Sequence, residues 1–132
     1  MIDPDDRTAI TERIAMHGHL VDAGDLGRLD EVFTSDVVYD VSPMGADPIH
    51  GLDGLRAAAE ALGDRNPVGH HVTNVVLTEG VDGSVEAVSK GIGINADGSC
   101  GSVTYEDLVL RTEAGWRIGR RRVIPRRAPM GR

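Results

Sequence analysis

Apolar and polar positions divide the chain into two stretches of different periodicity. From Asp5 to Ala23, Ile10, Ile14, Leu20 and Val21 recur at helical spacing behind an Asp-rich start, which suits capping and the helix dipole. Gly24 supplies a residue for the left-handed stop. Asp25 then caps a second short helix through "DLGRLDEVF", with Leu26, Leu29, Val32 and Phe33 on one face. The β-branched and aromatic run "DVVYDVS" predicts a strand ending at Ser42–Pro43, and "PMGADPIHG" reads as a Gly/Pro-broken loop. A third helix follows in "LDGLRAAAEALG", with Leu52, Leu55, Ala58, Ala59 and Leu62 as its apolar side and Gly63 as its stop.

After residue 69 the period changes to that of strands. Four β-rich runs, "HHVTNVVLTE", "SVEAVSKGIGI", "SVTYEDLVLRT" and "WRIGRRRVI", are separated by "GVDGS", "NADGSCG" and "EAG". Gly beside Asp, Asn or Ser tolerates the positive φ angles of hairpin turns, so an antiparallel meander is expected. The fold class predicted is α+β: three N-terminal helices packed in a strongly curved, mainly antiparallel sheet, a cone-shaped α+β barrel whose mouth admits a small ligand. Gly91 and Gly93 are expected to mark a bulge that curves the sheet. They do not form a dinucleotide fingerprint, because no helix follows them to face a phosphate.

The 132 residues fit one domain, 1–132, with residues 126–132 expected as a flexible basic tail. Aromatic residues make up only 3%, which removes the stacking platforms of single-stranded nucleic-acid binders. The net charge of −7 is uneven: residues 1–64 carry 14 acids against 4 arginines, and residues 65–132 carry 7 acids against 10 bases. The arginines of "RRRVIPRRAPMGR" are therefore expected to pair in part with the acidic half, and no nucleic-acid partner is predicted. Cys100 is the only cysteine, which excludes an intrachain disulfide. No apolar stretch approaches 18 residues and no leader opens the sequence, so the expectation is a cytoplasmic protein with no membrane partner.

The candidate chemistry lies in "VGHHVTN", where neighbouring His70 and His71 must point to opposite faces of a strand. That geometry makes them poor joint metal ligands, and histidines 17, 19, 50, 70 and 71 show no ligand spacing, so no metal is predicted. A lone inward histidine is most often a satisfied core residue; a carboxylate partner would change that. Asp22 is the best partner by sequence. A carboxylate accepting the Nδ1 proton fixes the tautomer and leaves Nε2 as a base. The alternative for Asp22 is a solvent-facing helix end, since it lies about 120° from the Ile10, Ile14 and Val21 stripe.

The succession of a helix, "LVDAGDLGRLDEVFTSDVVYD", a Gly-Leu helix, "HHVTNV" and "YEDLVLRTEAGWRIGRRRV" resembles the SnoaL-like branch of the nuclear transport factor 2-like superfamily, over nearly the whole chain. It is similar in particular to scytalone dehydratase and the bile-acid dehydratases. The resemblance implies a catalytic dyad of Asp22 and His71, with His71 the inward histidine, and places Tyr105 among the polar cavity residues. Tyr39, Val41, Met44 and Leu55 are expected to contact the ligand as well. Val21 and Val41 stand where scytalone dehydratases carry tyrosines that hold a water, and no second cavity histidine has a counterpart.

The function implied is a cofactor-independent dehydratase or isomerase. It would remove a proton next to a carbonyl, leading to dehydration, isomerisation or cyclisation of a polyketide- or steroid-like compound. The phenol of Tyr105 or Tyr39 would stabilise the enolate. One alternative is a non-catalytic ligand-binding or dimerisation module of the same fold. A weaker one is an epoxide hydrolase using Asp107 and Arg111, although Asp107 reads better as the ion-pair partner of an arginine from "RIGRRRV". Small or apolar groups on both faces of "HHVTNVVL" and "SVTYEDLVL" predict a homodimer through the sheet.

Overall fold

A computed structural model describes all residues from Met1 to Arg132. Helix α1 spans Pro4–Asp22, followed by a 3-10 helix at Leu26–Glu31. Strand β1 (Phe33–Asp40), a two-residue strand β2 (Ile49–His50) and helix α2 (Gly51–Leu62) complete the first half. Strands β3 (Gly69–Glu79), β4 (Val85–Ile94), β5 (Cys100–Thr112) and β6 (Gly115–Arg126) form the second. The last 3-10 turn is Pro129–Gly131, so the basic C-terminal segment begins inside a strand at Arg126 rather than after it.

The meander is as the turn residues predict. Strands β3 to β6 pair antiparallel in sequence order, and Asp82, Gly83, Gly98 and Gly115 take positive φ in the turns. The whole sheet has the order β2-β1-β6-β5-β4-β3, with β1 parallel to β6 and antiparallel to β2. The class is α+β with a curved, mainly antiparallel sheet, and no helix is long and apolar enough to cross a membrane.

Three local expectations are corrected. The second helix is 3-10, and Phe33 leaves it to start β1, where it pairs with Ile118 and is buried. A two-residue strand forms within the loop after β1, because Ile49 and His50 pair with Tyr39 and Val38. Strand β4 pairs without a bulge at Gly91 or Gly93. Gly91 is required for a different reason: the ring of Tyr105 and the side chain of Val103 occupy the space that a Cβ there would fill.

The core lies between α1 and the concave sheet face, where Ile10, Ile14, Phe33, Val37, Val109 and Ile118 are almost wholly excluded from solvent. Asp3 caps α1 by accepting the amide of Asp5 at 2.8 Å. One turn on, Asp6 accepts from Trp116 Nε1 at 3.1 Å and from Arg111 Nη2 at 2.7 Å, which ties the start of the helix to the β5–β6 hairpin. The other end of α1 is thereby directed at β3.

Candidate active site

Ile10, Ile14, Gly18 and Asp22 follow one another at intervals of four along α1 and so form a single ridge of the helix. Each step along such a ridge turns by only about 40°, which is how Asp22 reaches the sheet although it stands far round the helix from Ile10. Gly18 lets the ridge meet β3 closely, since a Cβ there would fall 2.6 Å from the carbonyl oxygen of His70. One turn later, Asp22 engages the same residue through both carboxylate oxygens. Its Oδ2 accepts the main-chain N–H of His70 at 3.0 Å, and its Oδ1 lies 2.6 Å from His70 Nδ1. A carboxylate only accepts, so Nδ1 carries the proton of this bond and Nε2 of the neutral ring is the free base.

The histidine held by Asp22 is therefore His70, and the expected pairing with His71 is corrected. His71 is exposed on the opposite face, paired in register with Ile92. The cause is one extra residue in β3. Val72 pairs with Gly91 and Leu77 with Ala87, which share the concave face of β4. Val72 and Leu77 are five apart, an odd interval that a regular strand would place on opposite faces. The register shift between Thr73 and Val76, with Asn74 at φ 57°, restores them to one face and puts His70 with them.

His70 lines a cavity of about 930 Å³ that Tyr39, Val41, Met44 and Tyr105 also line. Leu55, expected there, is instead a buried core residue of α2 and does not reach it. The side chains of His70 and Asp22 remain 21% and 28% exposed, so the pair is partly desolvated yet open to a ligand. Burial pushes the phenol of Tyr39 upward from its ordinary value, with Tyr105 adding to the effect, and burial also raises Tyr105. Both phenols consequently stay protonated and able to donate at neutral pH.

Behind the cavity stands a buried ionic group that sequence reasoning resolved only in part. Arg121 Nε and Nη2 donate to Asp107 Oδ1 and Oδ2 at 2.7 and 2.9 Å, a bidentate pair with both side chains at most 1% exposed. Arg121 is thus the member of "RIGRRRV" that reaches Asp107. Its guanidinium carbon lies 4.2 Å from the centre of the Tyr105 ring, and its Nη1 donates to His17 Nδ1 at 3.1 Å. His17, which lies one heptad beyond Ile10 on the same helix side, went unassigned in the sequence. Loss of solvent, then the charges of Arg121 and His70, hold its pKa well below 6.5, so it is a neutral acceptor. Arg111 pairs with Asp6 at the surface and is absent from the cavity lining, which removes the pair invoked for epoxide hydrolysis.

Comparisons with known proteins agree with this architecture. The model of the SnoaL-like domain matches residues 4–122. A Novosphingobium aromaticivorans protein with the provisional label of aromatic ring hydroxylase is 28% identical; the match covers 97% of this chain and 94% of that one with a TM-score of 0.75. An NTF2-like protein with a cystatin-like fold from the same bacterium is 27% identical, with 96% and 85% covered and a TM-score of 0.78. A third, provisionally labelled scytalone dehydratase, shares the fold at 20% identity, with 96% and 93% covered and a TM-score of 0.75. Comparison with curated proteins returns no match.

Proposed function

We propose, from the premise that the chain belongs to the SnoaL-like family, that it is a cofactor-independent lyase or isomerase acting beside a carbonyl group. The observation that carries this reading is the two-point hold of Asp22 on His70 at the edge of a largely apolar cavity. Nε2 of His70 takes the proton α to the carbonyl, and Asp22 stabilises the imidazolium that forms. A phenol, Tyr105 or Tyr39, donates to the carbonyl oxygen as the enolate gains charge. The imidazolium then returns its proton to a β-hydroxyl, which leaves as water. Return to carbon at another position gives isomerisation, and attack of the enolate on a second carbonyl gives cyclisation. A polyketide- or steroid-like compound suits the volume and the apolar lining, and the shared fold of the protein labelled scytalone dehydratase supports a dehydratase.

A panel of β-hydroxy ketones assayed with His70→Ala beside His71→Ala tests the proposal. Loss of turnover confined to the His70 variant is the expected outcome. Equal effects, or none, would leave a ligand-binding module of the same fold. That second reading draws on Val21 and Val41, the apolar residues at the two places where the resemblance leads one to look for water-holding tyrosines.

The same proposal includes a homodimer through the convex sheet face. Val76 and Val88 are 60% and 41% exposed there, next to the ion pair of Arg122 with Glu106 at 3.4 Å. Apolar groups flanked by both signs of charge on one face make a surface that complements its own copy across a two-fold axis.

A further inference from the structure

Arg121 is the one cationic side chain wholly buried in the molecule, and proton transfer at His70 makes no direct use of it. Three contacts fix its guanidinium: Nε and Nη2 on the two oxygens of Asp107, and Nη1 on Nδ1 of His17. A buried ion pair adds little to stability over an apolar pair of the same size, so stability alone does not account for it. Its position does. Strand β5 lies between β6 and β4, and the ring of Tyr105 is held from both neighbours. On the β6 side the guanidinium carbon of Arg121 is 4.2 Å from the ring centre. On the β4 side the ring rests on the main chain of Gly91, where a Cβ would fall 2.4 Å from Cε2. Tyr105 and His70 are also the two residues common to the large cavity and to the crevice behind it, whose wall includes His17, Gly18 and Arg121. Tyr39, on β1, reaches the cavity only.

Asp107 lines neither the cavity nor the crevice, so the end of the ion pair turned to the site is the positive one. A cation on the face of a phenol stabilises charge that gathers on its oxygen and strengthens the hydroxyl as a donor. We propose that Arg121, which is absent from the cavity lining, is a positioning residue that makes Tyr105 the phenol donating to the carbonyl oxygen, with Asp107 and His17 as its supports. This inference rests on the reading of the cavity as the site of proton transfer, and it decides between the two phenols which that reading leaves open. The α proton passes to Nε2 of His70, the electron pair of the broken C–H bond moves onto the carbonyl oxygen as the enolate, and Tyr105 keeps its own proton while donating. Asp22 thus readies the base, and Arg121 readies the group that meets the charge left on oxygen.

The probe is 2-acetylnaphthalene labelled with carbon-13 at its carbonyl, whose stretching frequency reports the hydrogen bond at the oxygen whether or not any reaction follows. Binding to the full chain is expected to lower that frequency. Tyr105→Phe should lose most of the shift, and Tyr39→Phe should keep the greater part. In Asp107→Leu/Arg121→Met the shift should shrink with Tyr105 still in place, whereas a guanidinium that only fills space would leave it unaltered once the apolar pair restores the packing. Two milder variants read the same effect: His17→Leu, which takes away the acceptor of Nη1, should lose part of the shift, and His17→Gln, which keeps an acceptor, should regain it. Exchange of the probe's methyl protons in D2O is followed separately. It should need His70 and should slow by about 10²–10³-fold in Tyr105→Phe. Absence of exchange in the wild type would overturn the proton-transfer reading and leave the hydrogen-bond result standing. A shift that survives in Tyr105→Phe, a shift indifferent to both the Arg121 and the His17 substitutions, or a probe that does not bind would overturn the role given to Arg121.

Discussion

Oδ1 of Asp22 lies 2.6 Å from Nδ1 of His70, and Oδ2 of the same carboxylate accepts the main-chain N–H of the same residue at 3.0 Å. The two bonds fix the imidazole in both rotation and tautomer, so Asp22 acts on chemistry by positioning the base. In Asp22→Asn the amide oxygen can still accept the main-chain N–H while its NH2 donates to Nδ1, which moves the ring proton to Nε2 and removes the free base. We expect turnover of the substrate found in the panel to fall by about 10²–10⁴-fold, with about 1 kcal/mol of stability lost. Adding His70→Ala to this variant should cost little more, because groups that act as a unit are not additive. Steady-state kinetics of the two single variants and the double variant decides the point.

Gly18 touches no ligand, yet it sets the distance between α1 and β3. A methyl group there would fall 2.6 Å from the His70 carbonyl oxygen and 3.1 Å from its Cβ. Gly18→Ala should therefore destabilise the protein by about 1–3 kcal/mol through overpacking. It should also reduce turnover, because Asp22 is carried on the displaced helix. Urea denaturation and kinetics on one preparation would show both effects together; a stability loss with unaltered turnover would argue against the coupling.

The Arg121–Asp107 pair lies out of solvent, so removing one member strands a charge. Asp107→Ala is expected to cost about 3–5 kcal/mol, and Asp107→Leu/Arg121→Met to recover much of that loss. The double variant should still alter ligand binding, since the Arg121 guanidinium covers the ring of Tyr105 at 4.2 Å. Denaturation midpoints of the single and double variants measure the first effect.

His17 gives the stability a pH dependence whose sign follows from its lowered pKa. Burial is the larger cause, and the neighbouring Arg121 and His70 act in the same direction. Between 6.5 and the folded-state value, the unfolded chain binds a proton that the folded chain refuses. Stability from this group is thus complete above 6.5 and is lost as pH falls, by at most about 1.4 kcal/mol per pH unit. His17→Gln, which keeps an acceptor for Arg121, should flatten the curve below pH 6.5. Chemical denaturation across that range compares the two slopes.

On the convex face, Val76→Arg should give a monomer by sedimentation while leaving the cavity intact, because Val76 is 60% exposed and is absent from the cavity lining. A wild-type protein already monomeric at micromolar concentration would remove the dimer from the proposal.

Much of this architecture is written in short-range pattern. Helical spacing from Ile10 to Leu20, the Ala/Leu run after Gly51 and the Gly-Asp turns between β-branched runs each specify an element through its own backbone preferences. The carboxylate at the end of α1 and Tyr105 were legible through the resemblance to the family, whereas helix phase set Asp22 about 120° from the apolar stripe. Three things were decided only by the tertiary structure: the extra residue at Asn74, the close approach at Gly18 and the burial of Arg121 against Asp107 and His17. In a strand the side-chain period is two residues, so one inserted residue reverses every face beyond it. Local propensity hardly registers such an insertion, whereas the packing of α1 against β3 settles it, and with it which of two adjacent histidines meets the acid.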